Sequence, residues 1–130
     1  MNLIVCLDER LGMMFNKRRQ SSDRGQVADM RALLCGAVLA VSPYTAKLLS
    51  EAGIELFVTE EPGKYGGYAF IEDTELPSAN EVDKLIIYHW GRRYPSDKRF
   101  TLDMGDFKLL ESTEFSGTSH DKITREIYKR

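Results

Sequence analysis

Arg18, Arg19 and Arg24 crowd one polar stretch, with Gln20, Ser21 and Ser22 between them. Guanidinium forks and hydroxyls just ahead of a helix start make a receptor for phosphate or carboxylate, because paired N–H donors match two oxygens of an anion and the helix end adds positive potential. Asp23 closes the stretch. Far along the chain, Ser119-His120-Asp121-Lys122 is the one place where an imidazole sits beside a hydroxyl, a carboxylate and an amine. Brought against Asp23 by the fold, His120 would serve as a general acid or base. A third group, Trp90, Arg92, Arg93, Tyr94 and Asp97, interleaves aromatics with arginines, a pattern that stacks on and clamps a base or ring.

Each group has a plainer alternative. The arginines can form a solvated loop paired with Asp8, Glu9 and Asp23. His120 can lie in a turn capped by Asp121. Trp90 can close the end of a core with Arg92 laid over it. His89, inside an apolar run, reads as a structural histidine. Glu60, Glu61, Glu72, Asp73 and Glu75 give an acidic middle without diagnostic ligand spacing, so no metal site is assigned.

The elements that must position these residues follow from local pattern. Leu3 to Leu7 is an apolar run too short for a helix and suited to a buried strand, and Gly12 turns the chain into a long polar loop. Ser21 or Ser22 is a natural N-cap with Asp23 in the first turn, Val27, Met30, Leu33 and Leu34 recur at helical spacing, and Gly36 is the stop. Ala37 to Val41 predicts a central strand. Ser42-Pro43 starts a second helix carrying Ala46, Leu48, Leu49 and Ala52, which Gly53 ends.

Ile54 to Thr59, Tyr68 to Ile71 and Lys84 to Trp90 predict three more strands, with a capping-box pattern at Ser78 to Glu81 good for a turn or two. Gly91 to Arg99 is a second basic loop. Phe107 to Phe115 and Lys122 to Tyr128 predict a terminal hairpin. Strands alternating with helices and then a hairpin imply an α/β fold: a mixed, mostly parallel central sheet with flanking helices and a C-terminal antiparallel hairpin.

With 130 residues, the chain is expected to form a single domain over 1–130. A net charge of −2 gives no reason for whole-surface attraction to nucleic acid or membrane, so anion binding must be local. No apolar run approaches membrane length, and Cys6 and Cys35 read as reduced thiols, which predicts a cytoplasmic protein.

This order of elements resembles dihydrofolate reductase, shortened in the middle. Met1 to Gly12 is similar to that family's opening strand, Ala37 to Leu49 to its second strand and following helix, and Val82 to Arg130 to its last three strands. The resemblance implies that fold. The departures fall on the working parts. The cofactor strand of the family runs into glycines, where this chain has Phe70-Ile71-Glu72-Asp73-Thr74. The family's basic residue after the second strand is matched by Ser42-Pro43-Tyr44, and its late-strand threonine by Tyr88. The tryptophan ahead of the substrate helix has no counterpart, and Asp23 is displaced by about two positions from the family's carboxylate. The expectation is a scaffold with its NADPH site lost and no cofactor.

The chain also resembles small bacterial proteins that share FN-x-RRQS-x-DR, SPY, W-x-R-x-YP-x-D and G-x-SH-x-KI, some of them labelled ribonuclease Z. The residues do not support that label, since a dinuclear zinc site cannot be built from His89 and His120 alone.

Three functional expectations follow. In the first, the chain binds a phosphate-bearing ligand, a nucleotide or short nucleic acid, through Arg18, Arg19, Gln20, Ser22 and Arg24 with Tyr88, Trp90 and Arg92, and Asp23 and His120 carry protons. In the second, it is a non-enzymatic protein- or RNA-interaction module. An NADPH-dependent reductase is the third alternative, and oligomeric state is left open.

Overall fold

The computed structural model describes residues 1–130. The main sheet has seven strands and is built around β1 (Asn2–Leu7), which lies between β6 (Tyr68–Phe70) and β7 (Lys84–His89) and runs parallel to both. Beyond β6 come β4 (Leu39–Val41) and the edge strand β5 (Leu56–Val58), again parallel. Beyond β7 come β10 (Ile123–Lys129) and β9 (Lys108–Phe115), both pairings antiparallel. The order β5-β4-β6-β1-β7-β10-β9 is thus the mixed, mostly parallel sheet with a terminal hairpin that the pattern predicts.

Side chains of β1 alternate between two cores, as strand geometry demands. Leu3, Val5 and Leu7 join Ala40, Ala69, Ile71, Leu85 and Ile87 on one face. Ile4 joins Leu39, Val41, Phe70, Ile86 and Tyr88 on the other, where α1 (Arg24–Leu34) contributes Met30 and Leu34. The helix ends at Cys35 in the left-handed conformation, followed by Gly36 at φ 88°. Ser42 caps α2 (Pro43–Leu48): its Oγ accepts from the Thr45 N–H at 3.2 Å, and Pro43 opens the helix.

The stretch after Gly12 is not a simple loop. Gly12–Phe15 forms β2 and Arg18–Arg19 forms β3, and with β8 (Lys98–Arg99) they make a small antiparallel sheet, β3-β2-β8. Met13 and Met14 from β2 and Phe100 after β8 close the core on the face away from α1. Apolar Met13-Met14 supply the local reason: a polar loop would have left that core open. The predicted strand over Ile54 to Thr59 is shorter, and as a sheet edge it leaves Phe57 and Val58 half-exposed. No helix is long and apolar enough to cross a membrane.

Candidate functional site

Asp23, not Ser21 or Ser22, is the N-cap of α1, and its Oδ1 accepts from Gly25 N–H at 2.7 Å and Gln26 N–H at 3.2 Å. That corrects the expected cap and removes the first-turn N–H groups as anion donors. The same carboxylate reaches across 97 residues to the β9–β10 loop. Oδ1 accepts from Thr118 N–H at 2.9 Å, and Oδ2 from Ser119 N–H at 2.8 Å, His120 N–H at 3.1 Å and the His120 ring at Nδ1, 2.9 Å away. Burial pushes the Asp23 carboxyl up, but His120 and the N–H groups of Thr118, Ser119 and Gly25 outweigh it and hold it well below the usual carboxylate range. An ionised Asp23 only accepts, so Nδ1 carries the proton and Nε2 of the neutral ring is left as an acceptor.

Both Asp23 and His120 are buried, at 3% exposure each. The imidazole stacks on Trp90 with ring centroids 4.6 Å apart and planes inclined by 21°. Its Nε2 lies 3.0 Å from Ser21 Oγ and 3.0 Å from the Tyr94 hydroxyl. Trp90 therefore does close the core end, but the ring laid over it is His120. Arg92 instead donates to the Ser119 carbonyl at 3.3 Å.

A second buried carboxylate, Asp8, holds the loops beside this pair. It accepts from Gly12 N–H at 2.7 Å, Arg10 N–H at 2.9 Å, Tyr94 N–H at 3.0 Å and Gln20 Nε2 at 3.1 Å. Burial raises its pKa, yet these donors bring it below the ordinary value. Asp8 fixes Tyr94 and Gln20, a role that a charged residue at a strand end does not announce.

The three arginines do not converge. Arg19 turns inward and pairs with Glu72 through Nε and Nη2, each bond 2.9 Å, and Glu72 also accepts from Thr45 Oγ1 at 2.8 Å. Lys98 donates to the Glu72 and Thr74 carbonyls at 2.7 and 2.6 Å. Arg18 lies exposed on the small sheet. Arg24 and Ser22 face an open cleft of about 770 Å³ between α1 and α2, with Arg31, Lys47, Thr118 and Ser119. The sequence pattern did not single out Arg31 or Lys47: Arg31 stands two turns after Arg24 on α1, and Lys47, late on α2, reaches the cleft through helix packing. Arg24, Arg31 and Lys47 form no ion pair, and Glu51 is the acid on the cleft other than buried Asp23.

Tyr88 stands apart from both places. It is fully buried, its hydroxyl donates to Asp29 at 2.7 Å, and Arg125 grips the same carboxylate at 2.8 and 2.9 Å. Burial and Asp29 push the phenol well above its usual range. His89 pairs with Glu126 at 2.5 Å on the β7–β10 surface. No group of three or more His, Cys, Asp or Glu side chains is placed to hold a metal ion.

No family model matches the sequence, and no curated relative does either. Among solved structures, the chain is similar to dihydrofolate reductase from Enterococcus faecalis, whose structure is of a complex with NADP(H) and RAB-propyl. The TM-score is 0.66 at 12% identity, over 99% of this chain and 95% of that one. Both the strand order around β1 and the terminal hairpin enter that match, and the chain has the dihydrofolate reductase fold.

Proposed function

We propose that this protein binds a phosphate-bearing small molecule, such as a nucleotide or the end of a short nucleic acid, in the cleft between α1 and α2. The observation that carries the reading is the set of three unpaired cations, Arg24, Arg31 and Lys47, around one cleft beside the Ser22, Ser50, Thr118 and Ser119 residues. Guanidinium and ammonium groups left without carboxylate partners hold a positive potential there, and an anion with several oxygens would meet all three. This site keeps Arg24 and Ser22 of the basic stretch and replaces Arg18 and Arg19 by Arg31 and Lys47.

A nicotinamide cofactor does not fit the residues at the carboxyl end of β6. Glu72 and Asp73 follow that strand, Glu72 locked to Arg19 and Thr45, and Asp73 accepting from Ser42 Oγ at 2.6 Å. Two carboxylates oppose a pyrophosphate, and the space bounded by Cys6, Met13, Arg19, Glu72 and Trp90 is only about 10 Å³. These features support a scaffold without reductase activity.

The test is thermal stabilisation by inorganic phosphate, nucleoside monophosphates, NADPH and dihydrofolate, repeated on R24A/R31A/K47A. A ligand at a hundredfold its Kd adds about 2.7 kcal/mol to stability. Stabilisation by the phosphate-bearing mononucleotides, absent in the triple variant, is the expected result. Stabilisation by NADPH together with NADPH oxidation at the expense of dihydrofolate, which is reduced, would overturn it in favour of a reductase, and no stabilisation by any of them would favour a macromolecular partner.

A further inference from the structure

We propose that Ser21, His120 and Asp23 form a nucleophilic relay that takes a short acyl group from an activated ester and passes it to water. The geometry is that of a serine with its base and the base's orienting carboxylate. Ser21 Oγ lies 3.0 Å from Nε2, and Nδ1 lies 2.9 Å from Asp23 Oδ2. Three features fix the imidazole. Trp90 sets its plane, Asp23 its tautomer, and the Tyr94 hydroxyl, 3.0 Å from Nε2, its rotation. Tyr94 is a positioning residue: its hydroxyl packs beside Nε2 while Ser21 donates to the single lone pair of the neutral ring, and it accepts from the ring once Nε2 is protonated.

Placement decides the substrate class. Ser21 is half-buried, so its hydroxyl can be reached, and it borders the cavity of about 10 Å³ whose lining mixes Cys6, Met13, Ile71 and Trp90 with Arg19, Gln20 and Glu72. That space admits nothing larger than a water-sized group, so the acyl carbon must approach Ser21 from the solvent side, where acetyl, the smallest stable acyl group, is the least hindered. The Ser21 and Ser22 backbone N–H groups have no protein acceptor and are the donors available to an oxyanion. This inference is independent of the α1–α2 cleft, which Ser21 does not line.

In the first half, the Ser21 Oγ–carbon bond forms as Nε2 takes the hydroxyl proton. The bond to the leaving oxygen then breaks, and that oxygen receives the proton from Nε2. In the second, water attacks the acyl-serine, its proton passes to Nε2, and Ser21 Oγ takes it back. The sum is ester plus water to acid plus alcohol.

The experiment is reaction of the purified chain with p-nitrophenyl acetate, followed by nitrophenol release, intact mass and peptide mapping, for the wild type, S21A and Y94F. Ser21 makes no contact that the fold depends on beyond His120, so S21A melts as the wild type does. The wild type is expected to gain one acetyl group at Ser21. S21A should lose that adduct and slow by about a hundredfold or more, while Y94F, with the ring no longer held in rotation, should form the adduct more slowly than the wild type. Absence of acetylation at Ser21 in the wild type, or nitrophenol release unchanged in S21A, overturns the relay.

Discussion

Replacing Asp23 by asparagine is the sharpest probe of the pair that joins the first helix to the terminal hairpin. The side chain keeps its shape but turns one acceptor oxygen into a donor amide. If that amide replaces Oδ2, it faces the N–H groups of Ser119 and His120 and the ring N–H of His120; if it replaces Oδ1, it faces those of Gly25, Gln26 and Thr118. Either way three donors, buried or partly buried, lose their acceptor. At about 1–2 kcal/mol for each orphaned donor, D23N should lose roughly 3–6 kcal/mol of stability. For a domain of this length that is a fall in Tm of roughly 10–20 °C.

Acidification supplies the signed control. The folded carboxyl titrates below its ordinary range, so on acidification the unfolded chain takes up the proton that the folded chain refuses. The stabilisation is therefore complete above the unfolded Asp value of about 3.9 and drains away as pH falls below it. Urea unfolding of both proteins should show a gap that narrows by about 1 kcal/mol between about pH 5 and about pH 3. A loss under about 1 kcal/mol, or a gap that widens on acidification, would refute the reasoning.

Further outcomes follow from other contacts. R19M strands Glu72 at 8% exposure and should destabilise by about 3 kcal/mol or more, whereas R19M/E72L removes both charges and should recover much of that loss in the same urea titration. G117A places a methyl group within 2.7 Å of Asp23 Cγ and Ile123 Cδ1, so about 1–3 kcal/mol should be lost in thermal melts, with the hairpin loop displaced from the helix. The R24A/R31A/K47A variant removes exposed, unpaired cations and should melt within about 1–2 kcal/mol of the wild type, with phosphate-ligand stabilisation abolished in calorimetry.

The sequence by itself determined what local physics controls. Leu3 to Leu7, Leu39 to Val41 and Lys84 to His89 announce strands because each is a short apolar run. Met30 and Leu34 announce a buried helix face by their spacing, and Ser42-Pro43 announces a helix start. The cap of α1 was read one or two residues early, at Ser21 or Ser22, because Asp ranks with Ser at that position and local pattern does not choose between them. Met13-Met14 carried the signal of the small sheet, hidden by the polar run that follows.

Only the tertiary structure decided which charged and polar groups meet. Nothing near Arg19 in sequence marks Glu72, 53 residues on, as the carboxylate that takes it out of the anion site. Nor does anything near His120 mark Asp23, Ser21, Trp90 and Tyr94 as its neighbours. Arg24, Arg31 and Lys47 share a cleft because two helices pack on one face of the sheet. Patterns of hydrophobicity mark the apolar segments that go inside, but not the carboxylates and imidazole buried with them, such as Asp8, Asp23, Glu72 and His120. Pairing of charges follows from how strands are ordered, and in this chain that order puts residues from opposite ends of the sequence side by side.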